Sequence, residues 1–334
     1  MTTNPSFDVI TLGRVSMDLF ADQIGADFAD VTSFSNSVGG TPANIAIATS
    51  RLGLKSAIFT AVGHDQVANF VRQYLAKEGV DTRYIANKQG RTGLAIVAVQ
   101  PPSTFPVTLY RENPADIYFD VVDVDVEALA GARVLLVSGT ALARANCRVA
   151  SFYACQFSQN YPTKVFMDLD LRPDQWQHPQ DYSRSLQAIL PFVDVAIGTE
   201  EESYAALIAN EQESSTTAIH DLSPEQILTL ERYLEHYLQQ PNSPNTWILK
   251  RGAKGISIYQ NSRSHDIPAF PITPLNTVGA GDGFASGLIY SYLQGKTWQE
   301  AGRFANACGA IVVSRHGCSV AMPYLEEVEK FLAG

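Results

Sequence analysis

Cysteine is scarce in this chain and shows no pairing pattern. Its four cysteines, at 147, 155, 308 and 318, form no CxxC, and its six histidines are isolated with no HExxH. Neither a zinc site nor a disulfide framework is indicated, and the cysteines read as reduced and structural. Basic residues are in deficit as well, 24 Lys and Arg against 34 Asp and Glu for a net charge of −10, and they are scattered along the chain. That leaves no electrostatic footprint for nucleic acid. Long apolar runs are absent, and Met1 to Ser6 show no basic segment leading into an apolar one. Neither a membrane span nor a secretory leader is expected, so the expected location is the cytoplasm. There is no internal repeat, and polar low-complexity sequence is confined to Asn210 to Ser223 and Gln239 to Asn245, which read as surface loops.

What is present is a chain of 334 residues, 46% hydrophobic, with 23 Gly and 17 Pro, enough for a large core as one α/β domain with insertions or as two domains. Short apolar runs at Phe7 to Leu12, Ala57 to Val62, Val134 to Ser138, Lys164 to Asp168, Val193 to Ile197 and Thr246 to Leu249 read as strands. Stretches of helical period between them, such as Ala43 to Leu52, Val67 to Glu78 and Pro224 to Leu238, imply βα units around a mainly parallel sheet. The expectation is a doubly wound α/β core of three layers. Residues 14–38 and 90–125 break the rhythm, with alternating patterns at Thr92 to Val99 and Val107 to Arg111 and no intervening helix. They read as a small β-layer, either a lid over the ends of the core strands or an ordinary meander patch.

Two glycine-rich segments carry the chemistry. Asn276-Thr277-Val278-Gly279-Ala280-Gly281-Asp282-Gly283 opens a helical run in which Phe284, Leu288 and Tyr292 share a face. Free N–H groups in a first helical turn favour an anion such as a phosphoryl group. A carboxylate at Asp282 would be repelled by that anion unless it has a task, and accepting a hydroxyl proton is such a task. The plainer alternative is a first-turn charge complementing the helix dipole. A dinucleotide fingerprint fails at Phe284, where its last glycine should fall, and Gly295-Lys296-Thr297 lacks the earlier glycine of a P-loop, so Gly295 reads as a helix stop. The second segment, Val38-Gly39-Gly40-Thr41-Pro42-Ala43-Asn44, predicts a helix start with Thr41 as N-cap and Pro42 in the first turn. Its paired glycines admit a ligand close to the backbone and Asn44 offers donor and acceptor to a polyol, unless the segment is only a tight turn.

Gly39-Gly40-x-x-Ala43-Asn44 and Gly279-Ala280-Gly281-Asp282 together resemble the two signatures of the ribokinase-like, or PfkB, carbohydrate kinases. The similarity also takes in Gly13 to Asp18, Arg172-Pro173 with Trp176, Lys250 to Gly255, Asn306 and Pro323, nearly the whole chain. The resemblance implies a single kinase domain over residues 1–334, a Rossmann-like core with a β-lid, and a homodimer formed through that lid. It implies ATP and Mg2+ as co-substrate and cofactor, and a primary hydroxyl as phosphoryl acceptor. By the same resemblance Asp282 is the catalytic base and the backbone of Gly279, Ala280 and Gly281 is an anion hole. Asp18, Gly39, Gly40 and Asn44 would position the acceptor. Lys250, Gly252, Ala253 and Gly255 would line the nucleotide, Asn306 would lie near adenine, and Glu201 would act on magnesium through water.

Tyr110-Arg111-Glu112-Asn113-x-Ala115-Asp116, Ile197-Gly198-Thr199 and Cys318-Ser319-x-Ala321-Met322-Pro323 resemble members that act on a keto-deoxy sugar acid of inositol breakdown. Arg111 and Arg172 support an acidic acceptor, because a carboxylate wants a guanidinium fork that a neutral sugar does not. The alternatives are salt bridges for one or both arginines, 2-keto-3-deoxygluconate or fructose as acceptor, and a regulatory protein that holds nucleotide or sugar without turnover. Two departures from the family pattern stand out. Gly198 replaces an asparagine three residues before Glu201, and Asn276 and Ala321 stand where many members bind a monovalent cation through an aspartate and a serine.

Overall fold

A computed structural model describes residues 6–100, 105–208, 222–261 and 263–334. Most of the loop expected over Asn210 to Ser223, and the first five residues, lie outside the described residues. Thirteen strands are described: β1 (Phe7–Leu12), β2 (Ser16–Ala21), β3 (Phe34–Gly39), β4 (Ser56–Val62), β5 (Ile85–Asn87), β6 (Gly93–Val97), β7 (Val107–Tyr110), β8 (Ala132–Ser138), β9 (Lys164–Asp168), β10 (Val195–Thr199), β11 (Thr246–Lys250), β12 (Ile256–Gln260) and β13 (Arg263–Ile267). Nine of them form one sheet in the order β13-β12-β11-β10-β9-β8-β1-β4-β5, and four form a smaller sheet in the order β3-β2-β6-β7. The large sheet is parallel from β5 through β11, with β12 and β13 antiparallel at one edge. The mixed α/β architecture expected from the sequence, with a large mainly parallel sheet and a separate small one, is the one observed.

The three layers follow from side-chain alternation along buried strands. Ile10, Leu135 and Val165 lie side by side in register and face one way. They pack on helices α3 (Val126–Ala130), α4 (Ala145–Ser158), α5 (Pro179–Ile189), α6 (Glu200–Leu207) and α7 (Pro224–Tyr237), through Leu129, Ala154, Leu186, Ala206 and Leu230. One residue on, Leu136, Phe166 and Val195 face the opposite side. There they meet α1 (Thr41–Arg51), α8 (Ala280–Leu293) and α9 (Trp298–Val313), through Ile45, Phe284, Leu288 and Ala305. Helix α2 (Gln66–Lys77) covers β4 on that side, and α10 (Leu325–Ala333) packs on α9.

Two local expectations change. The strand expected at Val193 begins at Val195, because a 3-10 turn over Leu190–Phe192 continues into Val193. The N-cap of α1 is Gly40, not Thr41, which is already the first helical residue and makes no capping hydrogen bond. The reason is tertiary. Gly40 adopts φ +100°, and a Cβ there would lie 2.5 Å from the carbonyl oxygen of Arg14, so only glycine lets the helix start press against the end of β1.

Candidate active site

The strand after β1 in sequence, among those of the large sheet, lies on one side of it and β8 lies on the other. The chain therefore reverses direction across the sheet between β1 and β8, and ligands of open α/β sheets bind beyond the carboxyl ends of the strands at such a switch point. The link Gly13–Val15, the residues after β9 and the first turns of α1 and α8 all gather there.

Asp282 sits in the first turn of α8. Its Oδ2 accepts a 2.7 Å hydrogen bond from Asn44 Nδ2 in the first turns of α1, joining the two glycine segments across 238 residues of sequence. The same amide nitrogen lies 3.0 Å from Cys318 Sγ, while Asn44 Oδ1 is buried without a partner among the described residues. Burial raises the Asp282 carboxyl to about 6; Asn44 opposes the shift, Asp170 adds to it, and Arg172 and Lys250 hold it back. A base with that value is half ionised just below neutrality, where general-base catalysis is efficient. Gly279, the N-cap of α8, has φ +84°, and a Cβ on it would fall 2.5 Å from Cys318 Sγ. Ala280 N–H turns back to Thr277 O at 3.2 Å, and no backbone acceptor among the described bonds takes the N–H of Gly279, Gly281 or Asp282. Those donors point out of the helix start, where an anion is favoured.

Lys250, at the end of β11, reaches the same turn: a Cβ on Gly281 would lie 3.2 Å from its Nζ. The ammonium is 3.5 Å from Asp168 Oδ2 and 3.8 Å from Glu202 Oε2. Burial alone would lower its pKa, yet Asp168 and Glu202 push it above the ordinary lysine value. Burial takes Asp168 up to about 7, with Lys250 opposing and Glu202 adding to the shift. Among the described contacts it is Glu202, one residue beyond Glu201, whose carboxylate reaches this cluster; Glu202 also closes a capping box with Thr199 at the start of α6. Gly198 leaves room for Leu169, whose Cδ1 would be 2.4 Å from a Cβ there, so an amide at this position would require the Leu169 side chain to shift. The loop Gly252–Lys254 with Gly255 follows β11 and is held by Arg251, which pairs with Glu200 and Glu231. Asn306, on α9, donates to Pro268 O at 3.0 Å.

Asp18, on β2, is buried and accepts from Ser16 Oγ at 2.7 Å; burial raises its pKa, and Gly39 leaves the space its carboxylate fills. Arg111 and Arg172 stand apart in behaviour. Arg111 is bidentate to Asp116, at 3.2 and 2.7 Å, and its side chain is 5% exposed. Arg172 is 52% exposed and uses only Nε, to Asp170 Oδ1 at 3.0 Å, among the described hydrogen bonds. Asp170, at φ +35°, also accepts from Thr140; burial alone would raise its pKa, but Arg172 and Arg14 hold it below the usual value. Arg14, Asp168, Asp170 and Glu202 were not singled out from the sequence. Periodicity carries no signal for them, since each is placed by a strand end or a capping register.

A doubly wound core with a small second sheet and a glycine-rich helix start is the architecture of a carbohydrate kinase. The profile described as pfkB family carbohydrate kinase matches residues 6–325, and the chain belongs to that family. It is 34% identical over 328 residues to a 5-dehydro-2-deoxygluconokinase of Geobacillus thermodenitrificans, covering 97% of this chain and 93% of that protein. In fold it is similar to the crystal structure of a 2-dehydro-3-deoxygluconokinase of Thermotoga maritima, with TM-score 0.82, 23% identity and 98% of each chain covered. An E. coli protein described as a ribokinase II, in complex with ATP and Mg2+, superposes with TM-score 0.81 and 24% identity over 98% of this chain and 99% of that one. This chain is thus a phosphotransferase acting on a carbohydrate hydroxyl. Among the described residues no helix is long and apolar enough to cross a membrane.

Proposed function

We propose that this enzyme transfers the γ-phosphoryl group of ATP to the carbon-6 hydroxyl of 5-dehydro-2-deoxygluconate, in the cytoplasm, as a step of inositol breakdown. The observation that carries the reading is Asp282, a carboxylate raised to about 6 and tied to Asn44, at a helix start whose N–H groups are open. The 5-dehydro-2-deoxygluconokinase of Geobacillus thermodenitrificans, at 34% identity, supports the acceptor.

In this reading Asp18 and the unpaired Asn44 Oδ1 orient the acceptor, with Gly39 and Gly40 allowing it close to the backbone. Asp282 takes the hydroxyl proton as the oxygen attacks the γ-phosphorus; the new O–P bond forms as the bond to the β-phosphate oxygen breaks, leaving ADP. The N–H groups around Gly279, Ala280 and Gly281 and the Lys250 ammonium stabilise charge on the transferred group. Gly252, Ala253 and Gly255 border the nucleotide, and Asn306 holds the backbone of Pro268 beside it. Closure of the small sheet, through residues 14–38 and 90–125, excludes water.

Magnesium in such enzymes is held by one or two carboxylates together with substrate phosphates and water. The donor set fits that pattern: Asp168 Oδ2 is buried without a hydrogen bond, Glu202 is beside it, and the described residues contain no cluster of three or more ligating side chains that would make a closed cage. Bound there, the ion would neutralise phosphate charge.

ADP release measured with 5-dehydro-2-deoxygluconate, 2-dehydro-3-deoxygluconate and fructose tests the proposal. The first is expected to give the highest kcat/KM. A higher value for either of the others reassigns the acceptor, and no ADP from any of them would leave only nucleotide or sugar binding.

A further inference from the structure

Arg14 is a cation at the site that makes no hydrogen bond or ion pair among the described residues. Arg14 lies in the link between β1 and β2, with its backbone pressed against Gly40 at the start of α1. Its partly buried side chain sits in the electrostatic reach of Asp170, Arg111, Arg172 and Asp18. Each of those is already engaged: Asp170 by Thr140 and Arg172, Arg111 by Asp116, and Asp18 by Ser16. The Nε of Arg14 is buried without a hydrogen-bond partner, and no ion pair with Arg14 occurs among the described residues. Asp170 and Asp18 offset the like charges of Arg111 and Arg172 only at a distance, and a buried charged donor left without a hydrogen bond is unfavourable unless a ligand completes the arrangement.

We propose that Arg14 is the specificity-determining residue for the acceptor's carboxylate, its guanidinium receiving the acid group together with the free terminal nitrogens of Arg172. This rests on the sugar-acid reading above and refines it, since Arg111 is committed to Asp116. In a six-carbon sugar acid the carboxylate and the primary hydroxyl are at opposite ends. A neutral sugar would leave Arg14 desolvated and unpaired, which a site built for a polar group rejects strongly.

The test is the ratio of kcat/KM for 5-dehydro-2-deoxygluconate to that for fructose, in wild type, Arg14→Gln and Arg14→Lys, with KM for ATP measured alongside. Loss of a charge-assisted contact is expected to lower the ratio by about 10- to 100-fold in Arg14→Gln, mainly through acceptor KM, with KM for ATP little changed. Arg14→Lys keeps the charge without the planar fork and is expected to lower it less; it carries the test if the glutamine variant does not fold. An unchanged ratio, or equal losses for both acceptors, overturns the assignment to Arg14. A wild-type enzyme that favours fructose overturns the sugar-acid reading itself, and that outcome is visible before any variant is compared.

Discussion

At the scale of single residues, the role proposed for Asp282 as base fixes the expected pH behaviour. A carboxyl raised to about 6 by burial must be ionised to accept a proton, so kcat/KM for the acceptor is expected to fall as pH drops through about 6 and to level off above it. A profile flat from about pH 5 to 8 would remove Asp282 from the role. Asp282→Asn keeps the shape and is expected to cost roughly 10²- to 10⁴-fold in kcat while ATP still binds. The same burial has a thermodynamic sign. With the folded pKa above the unfolded value, the folded state holds the extra proton between the two, so this group's stabilisation is complete at acid pH and lost as pH rises through about 6. The asparagine variant is therefore expected to be roughly 1 kcal/mol more stable than wild type at pH 7.5, a rise of about 1–2 °C in melting temperature for a chain of this length; a lower melting temperature would show that the ionised carboxylate holds the two helix starts together. The two arginines divide along another line. Arg111→Ala strands the buried carboxylate of Asp116 and is expected to cost about 3–5 kcal/mol of stability. Arg172→Ala removes a half-exposed side chain but also the main charge partner of buried Asp170, and is expected to raise acceptor KM with a smaller stability loss than Arg111→Ala, since Arg14 and Thr140 still face Asp170. Thermal unfolding and steady-state kinetics on the same two proteins separate these effects.

At the scale of elements, the loop before α8 shows how a neutral residue fixes a turn. Asn276 is fully buried; its Nδ2 donates to Gly317 O at 3.0 Å and its Oδ1 accepts from Val278 N–H at 3.0 Å. The side-chain oxygen of Asn276 thus already spends one of its two lone pairs on the loop and carries no formal charge, and Ala321 offers no hydroxyl. Hard cations want oxygen ligands, preferably charged ones. Turnover is accordingly expected to be similar in potassium, sodium and a large organic cation at matched ionic strength, and strong saturable activation at low potassium would contradict this. The elements themselves were largely legible in the chain, because Phe7 to Leu12, Lys164 to Asp168 and Thr246 to Leu249 are short apolar runs between helical periods, and both faces of a parallel sheet are buried. The glycine segments were legible for the same local reason. What was not legible depends on contacts distant in sequence. Gly40 displaces Thr41 as N-cap because of the Arg14 carbonyl, Glu202 reaches Lys250 while closing a capping box with Thr199, and the unpartnered Nε of Arg14 emerges only once the hydrogen bonds of its neighbours are traced.

At the scale of the whole molecule, the two sheets divide the labour. The core supplies Asp168, Lys250 and the turn at Asp282, while the small sheet brings Asp18 on β2 and ends at Tyr110, next to Arg111. That small sheet and its neighbouring loops also expose Ile24, Phe28, Phe34, Val107 and Tyr110, with the Phe28 and Phe34 rings in contact at 6.3 Å. Exposed aromatic pairs such as Phe28 with Phe34 are the kind of surface that protein partners cover, and aromatic residues dominate the buried centres of protein interfaces. The expected cover is a second copy of this chain, so sedimentation equilibrium should give twice the 36.4 kDa of one chain. Phe34→Asp places a charge on that exposed pair, at the start of an edge strand whose first half is exposed, so it is expected to dissociate the dimer without unfolding the core. Because β3 runs on into Gly39 and Gly40, and β7 runs on into Arg111, loss of the partner should loosen the acceptor side more than the nucleotide side. The monomeric variant is then expected to show a higher KM for the sugar acid and a nearly unchanged KM for ATP. A wild-type protein that sediments as a monomer at tens of micromolar would exclude the dimer, and a Phe34→Asp monomer with both KM values unchanged would separate assembly from acceptor binding.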